Sequence, residues 1–388
     1  MSRAYFDYNA TSPVSPEVLE QLIPALSEVY GNASSIHQSG QQAKQKLEMG
    51  RRQVADFLSC SPKEIVFTGG GTEGNNIAMF GLVRNEKASL KHVITTAIEH
   101  PCVLKACAQL EREGVEVTRV RVGSSGVVDP DDVRRAIRLE TVLITVMHVN
   151  NETGAVQPIG EIAAIANDAD VMIHVDGVQA AGRVEIDVAA LDVDTYAISG
   201  HKMQALKGTG ALYVRTGVKL QPMLHGGRQE GGMRAGTENV PGIVALGCAA
   251  EWLTRNQASA IPHISELRDR LERGVLSRVD HAYVNCASPG RAPNTTNIRF
   301  GGIDGEPLLI ALDLRGFSVS SGSACSSGAV EASHVLTAMG LSKEQARSCL
   351  RFSLGRGNTV EEVDGLVEAV VESVAQLRRI SPVRAAHV

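Results

Sequence analysis

Val142-Leu143-Ile144-Thr145-Val146-Met147 and, further along, Val171-Met172-Ile173-His174-Val175 are largely apolar at both alternating sets of positions. A strand with one wet face alternates apolar with polar, whereas a run apolar on both sets belongs to a central strand covered by helices on both sides. The two runs therefore predict a largely parallel sheet. Working outward from them, strand-like runs fall at 64–68, 92–97, 115–122, 141–148, 171–176, 194–199 and 210–215. Between them lie helical stretches such as 41–58 and 101–113, with apolar residues three and four apart and, in the second, Pro101 at the first turn. This alternation reads as α/β.

From about Pro241 the texture changes. Helical segments at 242–255 and 264–278 precede short strands near 282–285, 295–300 and 348–354. An amphipathic helix follows from Val360 to Leu377, with Val363, Leu366, Val367, Val370, Val371, Val374 and Leu377 on one face. A chain of 388 residues exceeds one ordinary core, so two domains are expected. Residues 16–257 form the large α/β domain, and 1–15 with 258–388 form a smaller α+β domain.

With 43% hydrophobic and 21% charged residues the chain is globular in composition, and its net charge of -5 supplies no global basic field for nucleic acid. The N-terminus lacks an apolar stretch of signal-peptide length, and nowhere do about 18 apolar residues run together, so neither export nor a membrane span is expected. The seven cysteines include no CxxC pair and no zinc-like spacing. Free thiols in a reducing cytoplasm, and no metal, fit that usage.

The chemistry-bearing residues cluster at strand ends. Lys202 stands in Ser199-Gly200-His201-Lys202, just past the run ending at Ile198, and Asp176 closes the run His174-Val175-Asp176 ahead of Gln179. In α/β sheets, ligands sit beyond the carboxyl ends of the strands, so Asp176 and Lys202 share a pocket. After the strand at 64–67 comes Thr68-Gly69-Gly70-Gly71-Thr72-Glu73, a glycine-rich turn opening a helix, where N–H groups and the Thr72 hydroxyl suit an anion. It lacks the lysine of a nucleotide P-loop. An amine for an imine, a carboxylate to keep a ring nitrogen protonated, and a phosphate cradle backed by Ser199 and His201 together match pyridoxal 5'-phosphate. Cys325, in Ser320-Ser321-Gly322-Ser323-Ala324-Cys325-Ser326-Ser327-Gly328, is a thiol in a small, polar, flexible stretch, unlike Cys248 among apolar neighbours. Arg351, flanked by apolar residues in the strand 348–354, suits either a clamp on a substrate carboxylate or a structural ion pair.

These segments, taken in order, resemble the NifS/IscS-type cysteine desulfurases with the long active-site loop. The resemblance runs nearly end to end, through Tyr8-Asn9-Ala10-Thr11, Gly31 to His37, Gly71-Thr72-Glu73, Glu99-His100-Pro101, Asn150 to Gly154, Asp176 to Gln179, Ser199 to Lys202, Arg234 to Asn239 and the Cys325 loop with Ser333-His334-Val335. It implies a fold-type-I pyridoxal-phosphate transferase that removes sulfur from L-cysteine, releasing alanine. It implies Lys202 as the Schiff base, Asp176 at the pyridine nitrogen, Gln179 at the ring hydroxyl and His100 stacked on the ring as a proton shuttle. Phosphate contacts come from Gly71, Thr72, Ser199 and His201, with Thr237 reaching in from the second subunit of a homodimer. Asn9, Asn151 and Arg351 lie near the substrate, and Cys325 carries the persulfide to a sulfur-acceptor protein. The destination is iron–sulfur cluster assembly first, with tRNA thiolation or DNA phosphorothioation as others. A selenocysteine lyase, another aminotransferase or a non-catalytic partner-binding homologue are the rival readings. The chain departs from the family at Ala205-Leu206, where Gly-Pro is usual before Lys207-Gly208, and it ends at Val388 soon after its last helix, as NifS-type members do.

Overall fold

The computed structural model describes residues 3–287, 290–321 and 332–380, so Cys325 lies outside the described residues. In chain order the strands are β1 (Ala4–Tyr5), β2 (Ile65–Thr68), β3 (His92–Thr96), β4 (Glu116–Val120), β5 (Thr141–Met147), β6 (Met172–Asp176), β7 (Thr195–Ser199), β8 (Gly210–Val214), β9 (Ala282–Asn285), β10 (Thr295–Phe300), β11 (Phe317–Ser318) and β12 (Cys349–Ser353). Seven of them form one sheet in the order β2-β8-β7-β6-β5-β3-β4. The contacts among β4, β3, β5, β6 and β7 are parallel, and β8 alone runs against its neighbours β2 and β7. The two runs that predict central strands are β5 and β6, paired Ile144 to Ile173 and Met147 to Asp176. Neither has a dry and a wet side: Leu143, Ile144, Val146, Ile173 and Val175 are all buried.

The expectation of two helices at 242–255 and 264–278 is replaced by one continuous helix, Val240–Leu276, with Pro262 inside it. Its first half buries Ile243, Leu246 and Leu253 in the core that covers the seven-stranded sheet. Its second half buries Ile264, Leu267 and Leu271 in another core, together with Phe300, Phe352 and residues of the helix Val360–Ile380. Between Thr254 and His263 neither core covers the helix, so the apolar spacing lapses there although the backbone does not break. The second core backs the antiparallel sheet β12-β10-β9, and β1 pairs in parallel with β11. Among the described residues no helix is long and apolar enough to cross a membrane, and the six cysteines are free thiols.

The end of β6 is built around a tight contact. A Cβ at Gly177 would lie 1.8 Å from a ring carbon of Tyr196, a fully buried side chain whose hydroxyl is hydrogen-bonded with His148 Nδ1 at 2.8 Å. The ring cannot retreat without breaking that bond, so Gly177→Ala is expected to destabilise the fold by about 2–3 kcal/mol. A urea-unfolding midpoint unchanged from wild type would contradict this packing.

Candidate active site

Because β3, β5, β6 and β7 are parallel, the loops leaving them meet along one edge of the sheet. There they wall a cavity of about 920 Å³, lined among others by Asn9, Gly71, Thr72, His100, Asn151, Asp176, Gln179, Ser199, His201, Lys202 and Arg351. Every site residue expected from the sequence is in this wall except Cys325, outside the described residues, and Thr237, which is exposed and not part of this lining.

The carboxylate comes first. Asp176 is 4% exposed at the end of β6; its Oδ1 accepts the Val178 N–H at 3.0 Å and its Oδ2 accepts Asn75 Nδ2–H at 2.8 Å. Burial pushes its pKa upward, while His100, these two donors and Lys202 pull it back toward the ionised form. The Lys202 amine follows a 3-10 turn at the end of β7 and donates to the Asn9 and Ala10 carbonyls, the latter at 2.8 Å. Gln179 donates from Nε2 to the Asn9 carbonyl at 2.9 Å, leaving its buried Oε1 without a hydrogen-bond partner among the described residues.

The turn expected to cradle an anion lies beside Asp176. The helix Gly71–Asn85 starts without a side-chain cap, and Gly70 ahead of it has φ +146°, a conformation that favours glycine. A Cβ at Gly71 would lie 2.3 Å from Val178 Cγ2, so only glycine lets this first turn approach the end of β6. Its uncapped N–H groups therefore meet the cavity beside Ser199, His201 and Thr72. Burial, with Lys202, Lys207 and Arg183 nearby, pushes His201 down to about 4, so it offers a neutral imidazole. Burial likewise lowers His100, whose Nδ1 caps the helix Pro101–Arg112 by accepting the Cys102 N–H at 3.2 Å and lies 3.0 Å from Cys102 Sγ.

The substrate-side residues are more committed than the sequence suggests. The Asn9 amide is spent on the Asn151 carbonyl, Thr295 and Asn294, so it is the Asn9 carbonyl that faces Lys202. Arg351 reaches the cavity with Nη2 on Asp7 at 2.6 Å and Nη1 on the Asn151 carbonyl at 2.9 Å, while its buried Nε has no hydrogen-bond partner among the described residues. The ion pair that the sequence leaves as the alternative for Arg351 is thus present, on a residue that also lines the cavity. Sequence reasoning passes over Asn75, Cys102 and Lys207, which line the same wall. Asn75, one helical turn after Gly71, had a signal in that spacing; Cys102 had none.

One flank of the segment 322–331 is fixed on this wall and the other just behind it, on residues next in sequence to Asn151 and His100. Ser320 exchanges both backbone hydrogen bonds with Arg351, at 2.7 and 3.2 Å. On the far side Ser333 Oγ–H donates to Glu152 at 2.5 Å, and His334 Nε2 donates to the Glu99 carbonyl at 2.9 Å.

Glu99 itself is fully buried. Its Oε1 accepts Thr96 Oγ1–H at 2.6 Å and the Met147 N–H at 3.0 Å, but Oε2 has no partner among the described residues. Burial pushes its pKa up to about 8. A carboxyl that holds its proton more tightly when folded favours the folded state at low pH, and that contribution is lost as pH rises from its ordinary range toward 8. Glu99→Gln is therefore expected to gain stability relative to wild type between pH 5 and pH 8, read from urea-unfolding free energies. Parallel curves across that range would contradict a neutral Glu99.

A family model described as aminotransferase class-V matches residues 4–366. The chain is 46% identical over 378 residues to "Cysteine desulfurase IscS" of Methanosarcina thermophila, covering 97% of this chain and 93% of that one. It is similar to a solved structure described as a NifS-like protein, with TM-score 0.91, 36% identity and coverage of 97% and 100%. A structure of SspA in complex with cysteine aligns with TM-score 0.81 and 37% identity over 92% of this chain and 100% of that one.

Proposed function

The chain belongs to the aminotransferase class-V family, and from that premise we propose that it is a pyridoxal-phosphate-dependent cysteine desulfurase, forming alanine and leaving a persulfide on Cys325. The observation that carries this reading is the convergence of Lys202, Asp176, Gln179, His100 and the uncapped Gly71 turn on one cavity, with the near flank of the Cys325 segment paired to the lining residue Arg351. The relative whose name is "Cysteine desulfurase IscS" and the SspA structure in complex with cysteine support the reaction and the substrate.

The residues fit the cofactor on the structure's own terms. The Gly71 turn, Thr72, Ser199 and His201 would hold its phosphate, Asp176 its ring nitrogen, the partnerless Gln179 Oε1 its ring hydroxyl, and Lys202 its carbonyl carbon. When bound, the cofactor supplies a protonated ring that withdraws an electron pair from the substrate α-carbon. With the substrate amine bound, the Lys202 amine would move the α-proton, and His100 would take or give a second one. Arg351 and Asn151 orient the substrate carboxylate. The Cys325 thiolate attacks the substrate sulfur, the carbon–sulfur electron pair stays with carbon, and protonation of that carbon yields alanine.

The wider proposals follow the family. The chain works as a cytoplasmic homodimer, in which exposed Thr237 reaches the partner's phosphate cradle; exposed Leu19, Ile23, Leu26, Tyr30 and Ile36 offer apolar surface for such a contact. It divides into a large domain, 16–257, and a small one, 1–15 with 258–388, and it hands sulfur to an acceptor protein, iron–sulfur cluster assembly being the destination proposed.

The test is Cys325→Ser with L-cysteine as sole substrate. Cofactor absorbance is expected to persist while alanine release falls to roughly a tenth or less. Full turnover in this variant would remove Cys325 from the reaction.

A further inference from the structure

Behind Asp176 lies a file of buried polar groups that no step above uses. Asn75, His174 and Thr195 are each fully buried. Asn75 Nδ2 lies 2.8 Å from Asp176 Oδ2, Asn75 Oδ1 lies 3.0 Å from His174 Nε2, and His174 Nδ1 lies 2.9 Å from Thr195 Oγ1. An ionised carboxylate only accepts hydrogen bonds, so the Asn75 amide must turn its NH₂ toward Asp176 and its oxygen toward His174. That oxygen in turn needs a donor, which places the His174 proton on Nε2. Nδ1 is then left to accept the Thr195 hydroxyl. Each link fixes the next, and the whole file donates in one direction, toward Asp176.

Reversal is unfavourable at every step. With the proton on Nδ1, the His174 Nε2 lone pair would face the Asn75 oxygen; if the amide then turned over, its oxygen would face the carboxylate. Burial, which pushes His174 down to about 3, keeps the ring neutral and so keeps one nitrogen a donor and the other an acceptor. Asn75 Nδ2 also lies 3.3 Å from Cys102 Sγ, beside His100, so the same amide is held from a second side. Lys202, His100, Glu99, Cys102 and Tyr196 are the other charged or titratable groups that interact with Asp176.

We propose that Thr195, His174 and Asn75 are positioning residues: a one-way relay of hydrogen bonds that keeps Asp176 ionised and aimed at the ring nitrogen of the cofactor. The proposal rests on the reading of Asp176 given above. It deepens that reading by naming what sets the strength of the carboxylate, which the cofactor-contacting residues alone do not. A network built only for packing would tolerate loss of its donors wherever volume is kept; a relay would not.

The consequence is readable without turnover. A weaker or misaimed Asp176 leaves the ring nitrogen less protonated. The ring then withdraws fewer electrons, and the nitrogen joined to Lys202 keeps its proton to higher pH. The pH midpoint of the visible absorption band should therefore rise.

The experiment compares wild type, Asn75→Ala, His174→Gln and the near-isosteric Thr195→Val. The readouts are spectroscopic titration with pyridoxal phosphate, the pH midpoint of the visible band, and thermal unfolding of each apoprotein. Asn75→Ala is expected to bind the cofactor roughly tenfold more weakly, with its midpoint raised by about one unit. Thr195→Val should shift the midpoint in the same direction by less, and His174→Gln, which can still donate to Asn75, should stay near wild type. If Asn75→Ala does not fold, Thr195→Val against wild type decides alone, since it changes a hydroxyl and little volume. Unchanged affinity and midpoint in the variants that fold, with only the unfolding temperature lowered, would overturn the relay and leave a packing role. A wild-type protein that gains no visible band with pyridoxal phosphate would instead overturn the proposed function, a distinguishable failure.

Discussion

Replacing Lys202 by alanine is expected to lower alanine formation from cysteine by about 10⁴-fold while leaving the fold intact. The side chain emerges from a 3-10 turn, partly buried, and its contacts with the Asn9 and Ala10 carbonyls serve the cavity and not the core. In the proposed function two roles would disappear together, the covalent attachment and the proton transfer at the α-carbon, so the expected loss exceeds that of either alone. The phosphate cradle and Asp176 remain, so pyridoxal phosphate should still bind, without a covalent link. Borohydride reduction followed by mass spectrometry separates the cases: wild type should gain the mass of the reduced cofactor and Lys202→Ala should not. The cavity holds a second lysine, Lys207. An adduct persisting in the variant would transfer the attachment there.

Asp176→Asn is expected to cost about 10³-fold in turnover, with a blue-shifted or weakened cofactor band. The substitution keeps the volume at a position only 4% exposed and leaves an oxygen that can accept the Val178 N–H. What it removes is the negative charge, which in the proposed function would hold a proton on the ring nitrogen. It also sets an NH₂ group against Asn75 Nδ2, two donors facing each other at 2.8 Å. Retention of more than a tenth of wild-type turnover would mean that the charge at this position is dispensable.

Much of this site is legible in the sequence because it is built from short segments directly after strands. A run such as Val171 to Val175 announces a central strand by its apolar pattern, and the position of Asp176 at its end then follows from the direction of the sheet. The same reasoning places Ser199 to Lys202 after β7. It does not foresee the antiparallel course of β8, since Gly210–Val214 is buried throughout and strand direction leaves no mark on such a run. Nor does it foresee the unbroken helix Val240–Leu276, where exposure of 254–263 imitates a loop. Asn75 and His174 are harder still, because polar residues inside a helix and a strand read as exceptions to a pattern until their partners, 99 positions apart, come together.

The anchoring of Ser320 on Arg351 and of Ser333 on Glu152 has a consequence for delivery. Cys325 stands five residues beyond the first anchor, and an extended chain spans at most about 3.3–3.6 Å per residue, so its Cα lies within about 18 Å of that point. On the proposed function, sulfur loaded on Cys325 stays within that reach of Ser320, so an acceptor would have to bring its own reactive atom inside it.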